Sequence, residues 1–484
     1  MKRDLAALSA REHDVLIVGG GIYGACAAWD AAQRGLTVAL VEKADFGGGT
    51  SWNSLRTIHG GLRHLQRLEV GLLRESVRER RALLRIAPAL VRPLAFLAPT
   101  YGHGLRGREA LAIGMLLNDA LSRDRNQGLA EAERIPPARM LSAAEVQARV
   151  PGIPAAGLRG GALWTDAQAI DSQRLLLAFL HAAWDAGAVL ANGVRVEALR
   201  REGSRVVGVD AVAGPSGERL AVRARVVLNA AGPGIPGLLK RAGIEKPRVP
   251  LLRAWNLVLR RALAPGLAVG ALSKGRYFFV VPWRDQSIVG TDYEAADRPG
   301  DPDRVQRFFG DVQAAFPWAG LLPEDVALVH VGLVPGERDA SGLWSRSLVV
   351  DHESESGAPG LISMLGAKFT TARAVAEKAL DRAAFRLGKP MACRTATTPL
   401  RRAIPLQGTI HEQIRFVLDE EMPLGLADVV LRRLDLAAAG VPENGEVERV
   451  LAVLADALGW DRERCEAERQ DLQQALAPHV PRLL

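Results

Sequence analysis

The chain has 484 residues, of which 48% are hydrophobic and 24% charged, and its formal net charge is +8. These values are ordinary for a globular protein of about two to four domains, and they exclude disordered, collagen-like and coiled-coil classes. The three cysteines, at positions 26, 393 and 465, lie far apart in the sequence. Their spacing excludes a disulfide framework and a structural zinc site, and it favours a reducing compartment.

A β-α-β unit is predicted near the start of the chain. An apolar strand at residues 14–18 leads into glycines and an alanine-rich helix at residues 25–34, and a second buried strand follows at residues 36–42. Gly19, Gly21 and Gly24 form the pattern Gly-x-Gly-x-x-Gly. These glycines allow a tight turn, close approach of the backbone to a pyrophosphate, and close packing of the helix on the strand. The pattern predicts that a dinucleotide binds at the helix N-terminus.

Glu42 narrows the choice of dinucleotide. It ends the second strand 21 residues after Gly21. A carboxylate at that position accepts hydrogen bonds from an adenosine ribose and repels the 2′-phosphate of NADP. The same glycine spacing recurs at 102–107 and 232–237, but neither occurrence is followed by a helix and then by a buried strand that ends in an acidic residue, so we do not expect a separate nicotinamide module. One cofactor should therefore take electrons directly from a substrate.

Three later segments suit the remainder of a flavin site. Residues 50–63 contain hydroxyl groups, backbone amides and the pair Gly60-Gly61, which lets the backbone approach a flat ring. Residues 225–233 form a buried strand that ends in small residues, as a segment next to a pyrophosphate would. Residues 363–371 lead into a helix at 371–386, whose N-terminal amides can stabilise negative charge on a reduced flavin.

The positive charge is concentrated in one region. Residues 51–110 contain eleven Arg and four Glu, a local net charge of +7, whereas residues 401–484 contain ten Arg and fifteen acidic residues, a net charge of −5. The basic region predicts contact with an anionic small molecule or an anionic lipid surface, and not with nucleic acid.

No apolar run reaches the roughly 18–20 residues that span a bilayer, and the N-terminal segment lacks the apolar stretch of a signal peptide. We expect a cytoplasmic protein, with peripheral binding to the inner face of the cell membrane as an alternative. Residues 105–119 combine arginines with an apolar helical face, which either packs on the core or lies in a lipid interface.

These segments resemble the FAD-dependent glycerol-3-phosphate dehydrogenase family, within the amino-acid-oxidase-like group of flavoproteins. The resemblance covers almost the whole chain, and two tail segments, at 426–433 and 458–461, resemble the family's helical C-terminal domain. The motifs that carry it are Ile-His-Gly-Gly-Leu-Arg at 58–63, Trp-Thr-Asp at 164–166, Asn-Ala-Ala-Gly-Pro at 229–233, Phe-Val-Val-Pro-Trp at 279–283, Gly-Thr-Asp at 290–292 and Leu-Gly-Ala-Lys-Phe-Thr-Thr at 365–371.

The resemblance implies an α/β protein with a Rossmann-like FAD-binding domain, an inserted mixed-sheet substrate domain and a C-terminal helical domain. The FAD-binding domain would be discontinuous, over about 10–100, 158–245 and 350–390, and the substrate domain would come from about 101–157 and 246–349. A linker at 391–405 would lead to helices within 406–484, where apolar residues have helical spacing at 410–418, 426–439 and 447–458.

The implied reaction is hydride transfer from a small polyol phosphate to flavin N5, with glycerol 3-phosphate giving dihydroxyacetone phosphate. The electrons would pass to membrane quinone or to oxygen. A homodimer is a further expectation. Arg63, Arg346 and Lys368 match substrate-side positions of the family. His64 is a candidate base, because imidazole titrates near neutrality.

The resemblance also assigns residues to the FAD site. They are Gly19, Gly21, Gly24, Glu42, Thr50, Ser51, Ser54, His59, Gly60, Gly61, Val194, Ala231, Gly232, Gly366, Lys368, Phe369 and Thr370.

At the substrate side, the chain departs from the family pattern. Val334 stands where the family has an arginine in Gly-x-Arg-Pro, Asn256 where it has a histidine, and His64 where it has a tyrosine. Loss of one charged hydrogen bond costs about 1.5–3 kcal/mol. Either another cation replaces the missing one, or the substrate is not glycerol 3-phosphate. The candidate cations are Arg253, Arg276 and Arg338.

Three functions therefore stay open. The first is an FAD-linked dehydrogenase or oxidase of a small polyol phosphate. The second is an FAD oxidase of an amine or a 2-hydroxy acid, which the apolar Val334 would permit and which the fold alone does not exclude. The third is a non-catalytic dinucleotide-binding protein whose acidic tail binds a partner.

Overall fold

The computed structural model describes residues 1–102, 107–214, 216–297, 301, 303–337, 342–481 and 483. The strands of these residues form two sheets. The strands are β1 (His13–Val18), β2 (Val38–Val41), β3 (Thr57–Ile58), β4 (Val91–Tyr101), β5 (Arg139–Leu141), β6 (Leu158–Ala169), β7 (Val189–Ala191), β8 (Val194–Glu202), β9 (Arg205–Ala213), β10 (Arg219–Asn229), β11 (Leu251–Leu259), β12 (Leu267–Ser273), β13 (Arg276–Trp283), β14 (Gln286–Ala295), β15 (Val326–Pro335), β16 (Leu348–Asp351) and β17 (Leu361–Leu365).

Helices cover both sheets and form the C-terminal part of the chain. They are α1 (Leu5–Ser9), α2 (Ile22–Gln33), α3 (Val70–Ile86), α4 (Arg108–Leu121), α5 (Ala143–Arg149), α6 (Ser172–Asp185), α7 (Ile235–Arg241), α8 (Arg304–Ala315), α9 (His352–Ser356), α10 (Ala372–Leu387), α11 (Ile410–Glu420), α12 (Leu426–Asp428), α13 (Asn444–Leu458) and α14 (Arg462–Leu476). A 3-10 helix, Leu62–Arg67, precedes α3.

The first sheet is a parallel sheet with an antiparallel extension. Its strand order is β16-β17-β10-β1-β2-β7, and β8 and β9 extend it from β10. The five strands from β17 to β7 run parallel, so their carboxyl ends meet at one edge. All six residues of β1 are buried, as is typical of a parallel strand covered on both faces. Helices α2, α6 and α10 pack together on one face, which confirms the predicted Rossmann-like arrangement.

The second sheet is mixed, as predicted for the substrate domain. Its order is β15-β11-β14-β13-β12-β4-β6-β3, with β5 paired to β6. The pair β12-β4 is parallel and the other pairs are antiparallel. Helix α8 covers one face of β11, β13 and β15 with its buried residues Phe308, Phe309 and Val312.

Three strands lie in a different sheet from the one their position in the chain suggested. All of β3, most of β4 and all of β6 fall within the ranges expected for the FAD-binding domain, yet all three belong to the second sheet. Strands β4 and β6 pair with each other along almost their whole length, and β3 pairs with β6. Sequence alternation alone does not tell which sheet a strand joins. The domain boundaries stay a prediction.

The C-terminal helices pack around their own apolar core. Helix α11 begins with a capping box in which Thr409 and Glu412 bond each other's backbone amides. The continuous helix predicted at 426–439 is wrong. The structure has α12, one π-helical turn at Val429–Arg433, Asp435 with φ +53°, and a 3-10 helix at Leu436–Ala439. The helix is interrupted because Asp435 adopts the left-handed conformation. Among the described residues, no helix is long and apolar enough to cross a bilayer.

Candidate active site

The turn between β1 and α2 has no room for side chains. Gly19 has φ +110°, and a Cβ atom there would lie 2.6 Å from the carbonyl oxygen of Ala230. A Cβ atom on Gly24 would lie 1.9 Å from the carbonyl oxygen of Gly19. Gly21 is the N-cap of α2, and the first amides of a helix have no partner within it. The turn therefore fits a pyrophosphate, whose negative charge a helix N-terminus stabilises.

Glu42 lies beside this turn at the end of β2. Its Oε2 accepts a hydrogen bond from the Gly20 amide at 2.7 Å, and its Oε1 accepts one from the Ala44 amide at 3.0 Å. The Val194 amide donates to the backbone oxygen of Glu42 at 2.7 Å. Burial raises the pKa of the Glu42 carboxyl. Glu42 and Val194 thus lie together, where the adenosine ribose of a dinucleotide is expected.

Other residues assigned to the cofactor also border the glycine turn. A Cβ atom on Gly19 would lie 2.8 Å from the Cα atom of Ala231, and Gly232 follows with φ +53°. Ser51 Oγ accepts a hydrogen bond from the amide of Ile22, the first residue of α2, at 3.1 Å. The ends of β10 and β2 therefore meet the start of α2 at the carboxyl edge of the sheet, where such folds bind ligands.

The hydroxyl groups of Thr50 and Ser54 have other partners in the structure. Thr50 Oγ1 donates to the carbonyl oxygen of Leu333 at 2.8 Å, and Ser54 Oγ accepts from the Arg56 amide at 3.2 Å. Thr50 thus connects its loop to β15 of the second sheet. Direct contact of either hydroxyl with a cofactor stays a prediction.

Gly60 and Gly61 let the chain pass close to α3 and β6. A Cβ atom on Gly60 would lie 2.4 Å from Arg80 Nη1, and one on Gly61 would lie 2.8 Å from Ser76 Cβ. The Gly60 amide donates to Asp166 Oδ1 at 2.5 Å, and Arg80 pairs with the same carboxylate. No local pattern in the sequence indicated Arg80, because its partner is 86 positions away in the chain.

His59 meets the segment that precedes α10. Its amide donates to Thr370 Oγ1 at 3.3 Å. Burial, and then the charge of Lys368, lower the pKa of His59 to about 4, so its imidazole is neutral at physiological pH. Phe369 packs against the apolar core beneath α2, α6 and α10.

Gly366 follows the last residue of β17, at a position that excludes any side chain. A Cβ atom there would lie 2.1 Å from Tyr23 Oη and 2.6 Å from Ser347 Oγ. The Tyr23 hydroxyl donates to the carbonyl oxygen of Lys368 at 3.0 Å, and burial raises its pKa to about 12. Tyr23 therefore links the first turn of α2 to the segment that carries Lys368. It occupies an unspecified position of the glycine pattern, so the motif did not predict this role.

The four residues predicted to act on a substrate lie close together. Lys368 Nζ lies 2.8 Å from His64 Nε2 and donates to the carbonyl oxygen of Ser345 at 2.9 Å. Arg346 follows Ser345 and Arg63 precedes His64, and both arginine side chains are exposed. The charge of Arg63 is near enough to lower the pKa of Lys368, in addition to the larger effect of burial. The structure therefore brings these side chains to one place beside the carboxyl end of β17.

Glu69 completes this cluster and was not predicted. Its Oε2 lies 3.0 Å from His64 Nδ1. An ammonium group can only donate, so His64 Nε2 accepts from Lys368 and Nδ1 carries the hydrogen that points at Glu69. Burial and the nearby lysine lower the pKa of His64, and burial lowers the pKa of Lys368 to about 8. At neutral pH, a neutral imidazole therefore lies next to a charged amine, an arrangement that can take up a hydroxyl proton.

The second sheet presents one face to loop residues 50–53. In the register of β11 and β15, Asn256 pairs with His330, and alternate residues of a strand share a face. The ring centroids of His330 and Trp52 lie 5.8 Å apart. A Cβ atom on Gly332 would lie 2.7 Å from Thr50 Cγ2. Val334, two residues further along, therefore shares this face.

Arg253 and Arg276 lie on the opposite face and do not replace the missing arginine. Arg253 pairs with Glu294 at 3.0 Å. Arg276 pairs with Asp292 and shares its face with Phe278, which contacts α8. The expectation that either one supplies the cation at Val334 is therefore wrong, because each is one residue out of phase with the face toward the loop. Arg338, the third candidate, lies outside the described residues.

Comparison with known proteins gives the same architecture. A model of the FAD-dependent oxidoreductase family matches residues 14–382. The glycerol-3-phosphate dehydrogenase of Synechocystis sp. is 29% identical over 97% of this chain and 97% of its own length. Glycerol-3-phosphate dehydrogenase 2 of Mycobacterium tuberculosis is 34% identical over 78% of this chain, which spans 64% of that protein.

Among solved structures, the glycerol-3-phosphate dehydrogenase of Bacillus halodurans, complexed with FAD, has the same fold. It superposes with a TM-score of 0.74 and 21% sequence identity, over 99% of this chain and 97% of that one. This confirms the predicted α/β fold class.

Proposed function

The chain belongs to the FAD-dependent oxidoreductase family and has FAD as its cofactor, and we propose that it oxidises glycerol 3-phosphate to dihydroxyacetone phosphate. The observation that carries this proposal is the cluster of Arg63, His64, Arg346 and Lys368, in which Lys368 Nζ lies 2.8 Å from His64 Nε2. Two exposed arginines suit a phosphate, because the guanidinium fork matches its oxygens. The names of the relatives in Synechocystis and Mycobacterium agree with this substrate.

The residues that would hold FAD follow the parallel strands. Gly19, Gly21 and Gly24, with the first amides of α2, would hold the pyrophosphate, and Glu42 would bind the ribose. Gly366 and the residues before α10 would lie along the flavin, where the helix N-terminus stabilises negative charge. Bound FAD accepts a hydride from a substrate carbon.

The side chains of the cluster would divide the remaining work. Arg63 and Arg346 would bind the phosphate at the exposed rim. His64 Nε2 would take the hydroxyl proton, while the Lys368 ammonium would stabilise negative charge on the substrate oxygen. Glu69 would keep the hydrogen of His64 on Nδ1. The lone pair of Nε2, which accepts from Lys368 in the structure, would then take the hydroxyl proton when the ammonium donates to the substrate oxygen instead.

Anaerobic reduction of the flavin tests the substrate directly. Glycerol 3-phosphate, at about 1 mM, should bleach the oxidised flavin. Glycerol lacks the phosphate, propane-1,3-diol monophosphate lacks the secondary hydroxyl, and glycine and lactate represent amines and hydroxy acids. None of these four should bleach the flavin at the same rate. Bleaching by glycine or lactate, or none with glycerol 3-phosphate, would contradict the proposed substrate.

We also propose that the protein is located in the cytoplasm and binds peripherally to the inner face of the cell membrane. Helix α4 exposes Ile113, Leu116 and Leu117, and among its residues only Met115 is buried. Leu68, at the end of the neighbouring 3-10 helix, is 83% exposed. That 3-10 helix also carries exposed arginines. An apolar helix face beside positive charge suits an anionic lipid interface.

Vesicle flotation tests the membrane proposal. The protein should float with vesicles that contain an anionic lipid and stay down with neutral ones. The double variant Leu116→Ser/Leu117→Ser should lose flotation. Phe385→Ser, which changes an even more exposed apolar residue on α10, should keep it. Failure to float with either vesicle would contradict the proposal.

For the electron acceptor, we propose membrane quinone, because the apolar face of α4 would hold the protein at the bilayer. Oxygen is the alternative. Mixing the reduced protein with a soluble quinone analogue or with air-saturated buffer tells the two apart by the rate of flavin reoxidation. The homodimer stays a prediction, which sedimentation velocity would test.

A further inference from the structure

We propose that the C-terminal helical domain positions the loop that contacts the dinucleotide-binding glycine turn, through buried ion pairs of Arg432 and Arg433 with Asp45, and so supports the binding of FAD. We call residues 42–51 the cofactor loop. It begins directly after β2 and includes the first two residues of the segment 50–63, which is predicted to approach the flavin. The proposal concerns the binding of FAD and does not depend on which substrate the protein oxidises.

The cofactor loop holds the glycine turn from one side. The Gly47 amide donates to the carbonyl oxygen of Gly20 at 3.0 Å, and Gly20 donates back to Glu42 Oε2 at 2.7 Å. Ser51 Oγ accepts from the Ile22 amide at 3.1 Å. These three hydrogen bonds place the loop against the turn and helix end that would hold the pyrophosphate. A displacement of the loop would therefore displace both the Glu42 carboxylate, which would bind the ribose, and the backbone amides that would bind the pyrophosphate.

Asp45 is in the middle of this loop and points away from the turn, into the C-terminal domain. Its Oδ2 accepts from Arg432 Nε at 2.7 Å and from Arg433 Nη1 at 2.8 Å, and its Oδ1 accepts from Arg433 Nη2 at 2.7 Å. Only 1% of the Asp45 side chain is exposed. A carboxylate buried this deeply keeps its charge only while its partners are in place. The position of the loop is therefore coupled to the position of the two arginines.

The segment that carries Arg432 and Arg433 has an unusual backbone conformation. Arg432 and Arg433 end the π-helical turn at Val429–Arg433, a rare conformation that is common at functional sites. Two residues on, the Asp435 carboxylate lies 3.8 Å from the buried Arg56 guanidinium, in the chain that follows the loop. The same short segment thus contacts the FAD-binding part of the chain on both sides of the cofactor loop. Asp45, Arg432 and Arg433 are positioning residues, since they act on FAD through the loop.

The dissociation constant of FAD from the full-length protein tests the proposal. Apoprotein of each variant is titrated with FAD, and binding is followed by quenching of flavin fluorescence. Asp45→Asn and Arg432→Met should each raise the Kd for FAD about tenfold or more. The double variant should have about the same Kd for FAD as Asp45→Asn, because Asp45→Asn already removes the charge with which Arg432 pairs. Arg432→Lys keeps the charge and should stay within about threefold of the wild type.

Arg34→Met is the matched control. Arg34 makes a buried ion pair with Asp30 at 2.9 Å and also pairs with Asp381 at 2.7 Å, at the opposite end of α2 from the glycine turn. This variant should lower the melting temperature and leave the Kd for FAD within about threefold. An unchanged Kd in Asp45→Asn, or an equal rise in Arg34→Met, would overturn the proposal. Should Asp45→Asn fail to fold, Arg432→Met carries the same test, since Arg433 still pairs with Asp45.

Discussion

Replacing Lys368 with arginine should remove the alkaline limb from the pH profile of kcat/KM. Burial lowers the pKa of Lys368 to about 8 from its ordinary value of 10.5. In the proposed mechanism, the charged amine stabilises the substrate oxygen, so activity is lost as the pH rises through this pKa. Arginine keeps its charge throughout this range, and its guanidinium can donate both to His64 Nε2 and to the carbonyl oxygen of Ser345, the two partners of the lysine.

The expected magnitude follows from the pKa. A group of pKa about 8 is ~90% protonated at pH 7 and ~10% protonated at pH 9, so kcat/KM should fall about tenfold between these values in the wild type. The Lys368→Arg variant should show a ratio close to one, although its rate at pH 7 is lower. The alkaline side is the informative one. On the acid side, the second ionisation of the substrate phosphate, near pH 6, overlaps with His64, whose pKa is lowered from 6.5.

The assay is anaerobic stopped-flow reduction of the flavin by glycerol 3-phosphate from pH 6.5 to 9.5. Bound FAD and the melting temperature are measured at both ends of the range, so that loss of cofactor is not mistaken for loss of a proton. A tenfold fall between pH 7 and pH 9 that persists in Lys368→Arg would refute the reasoning and assign the alkaline limb to another group.

Three further predictions concern the same site. His64→Gln should lower kcat about 10²- to 10⁴-fold, with KM changed only a few-fold and the FAD spectrum retained, because it removes the proton acceptor; reduction at the wild-type rate would exclude His64 as the base. Val334→Arg should raise kcat/KM for glycerol 3-phosphate at least about tenfold, since one charged hydrogen bond contributes about 1.5–3 kcal/mol; an unchanged value would mean that the phosphate does not reach β15. Gly24→Ala should abolish FAD binding, because its Cβ would lie 1.9 Å from the carbonyl oxygen of Gly19. Its control is Gly114→Ala, a helical site with open space, which should keep FAD and gain about 0.5–1 kcal/mol; yellow Gly24→Ala protein would contradict the steric argument.

The parts of the site that could be predicted are those that depend on neighbours in the chain. The glycine turn, Glu42 and the strand-helix-strand unit follow from short-range periodicity and spacing, and the crowding at Gly19 and Gly24 shows why those positions hold glycine. The assignment of Arg63, Arg346 and Lys368 to one site came from resemblance to a family, whereas His64 departs from the family pattern and was a candidate because imidazole titrates near neutrality. No periodicity in the sequence joins position 64 to position 368.

The features that escaped prediction depend on contacts between distant segments. Asp45 and Arg433 are 388 positions apart, and a charged residue in a loop is usually solvated, so neither residue signals a buried pair. Glu69 lies only five positions from its partner His64. The sequence does not indicate this contact, because the 3-10 helix that turns Glu69 back toward the imidazole ends in a left-handed Leu68, a conformation that a leucine does not signal.

The neighbours of β1 have a consequence for how the protein is made. One edge of β1 pairs with β2, but the other pairs with β10, which ends at Asn229. At about 5–20 residues per second, the ribosome needs roughly 10–40 s to synthesise the chain between the end of β2 and the end of β10. During this time the nascent chain has an apolar strand with one open edge, the kind of surface that chaperones bind and that aggregates. Because Gly19 also packs against Ala230, we expect FAD to load after this strand is inserted, so the cofactor stabilises the finished sheet and does not template its early folding.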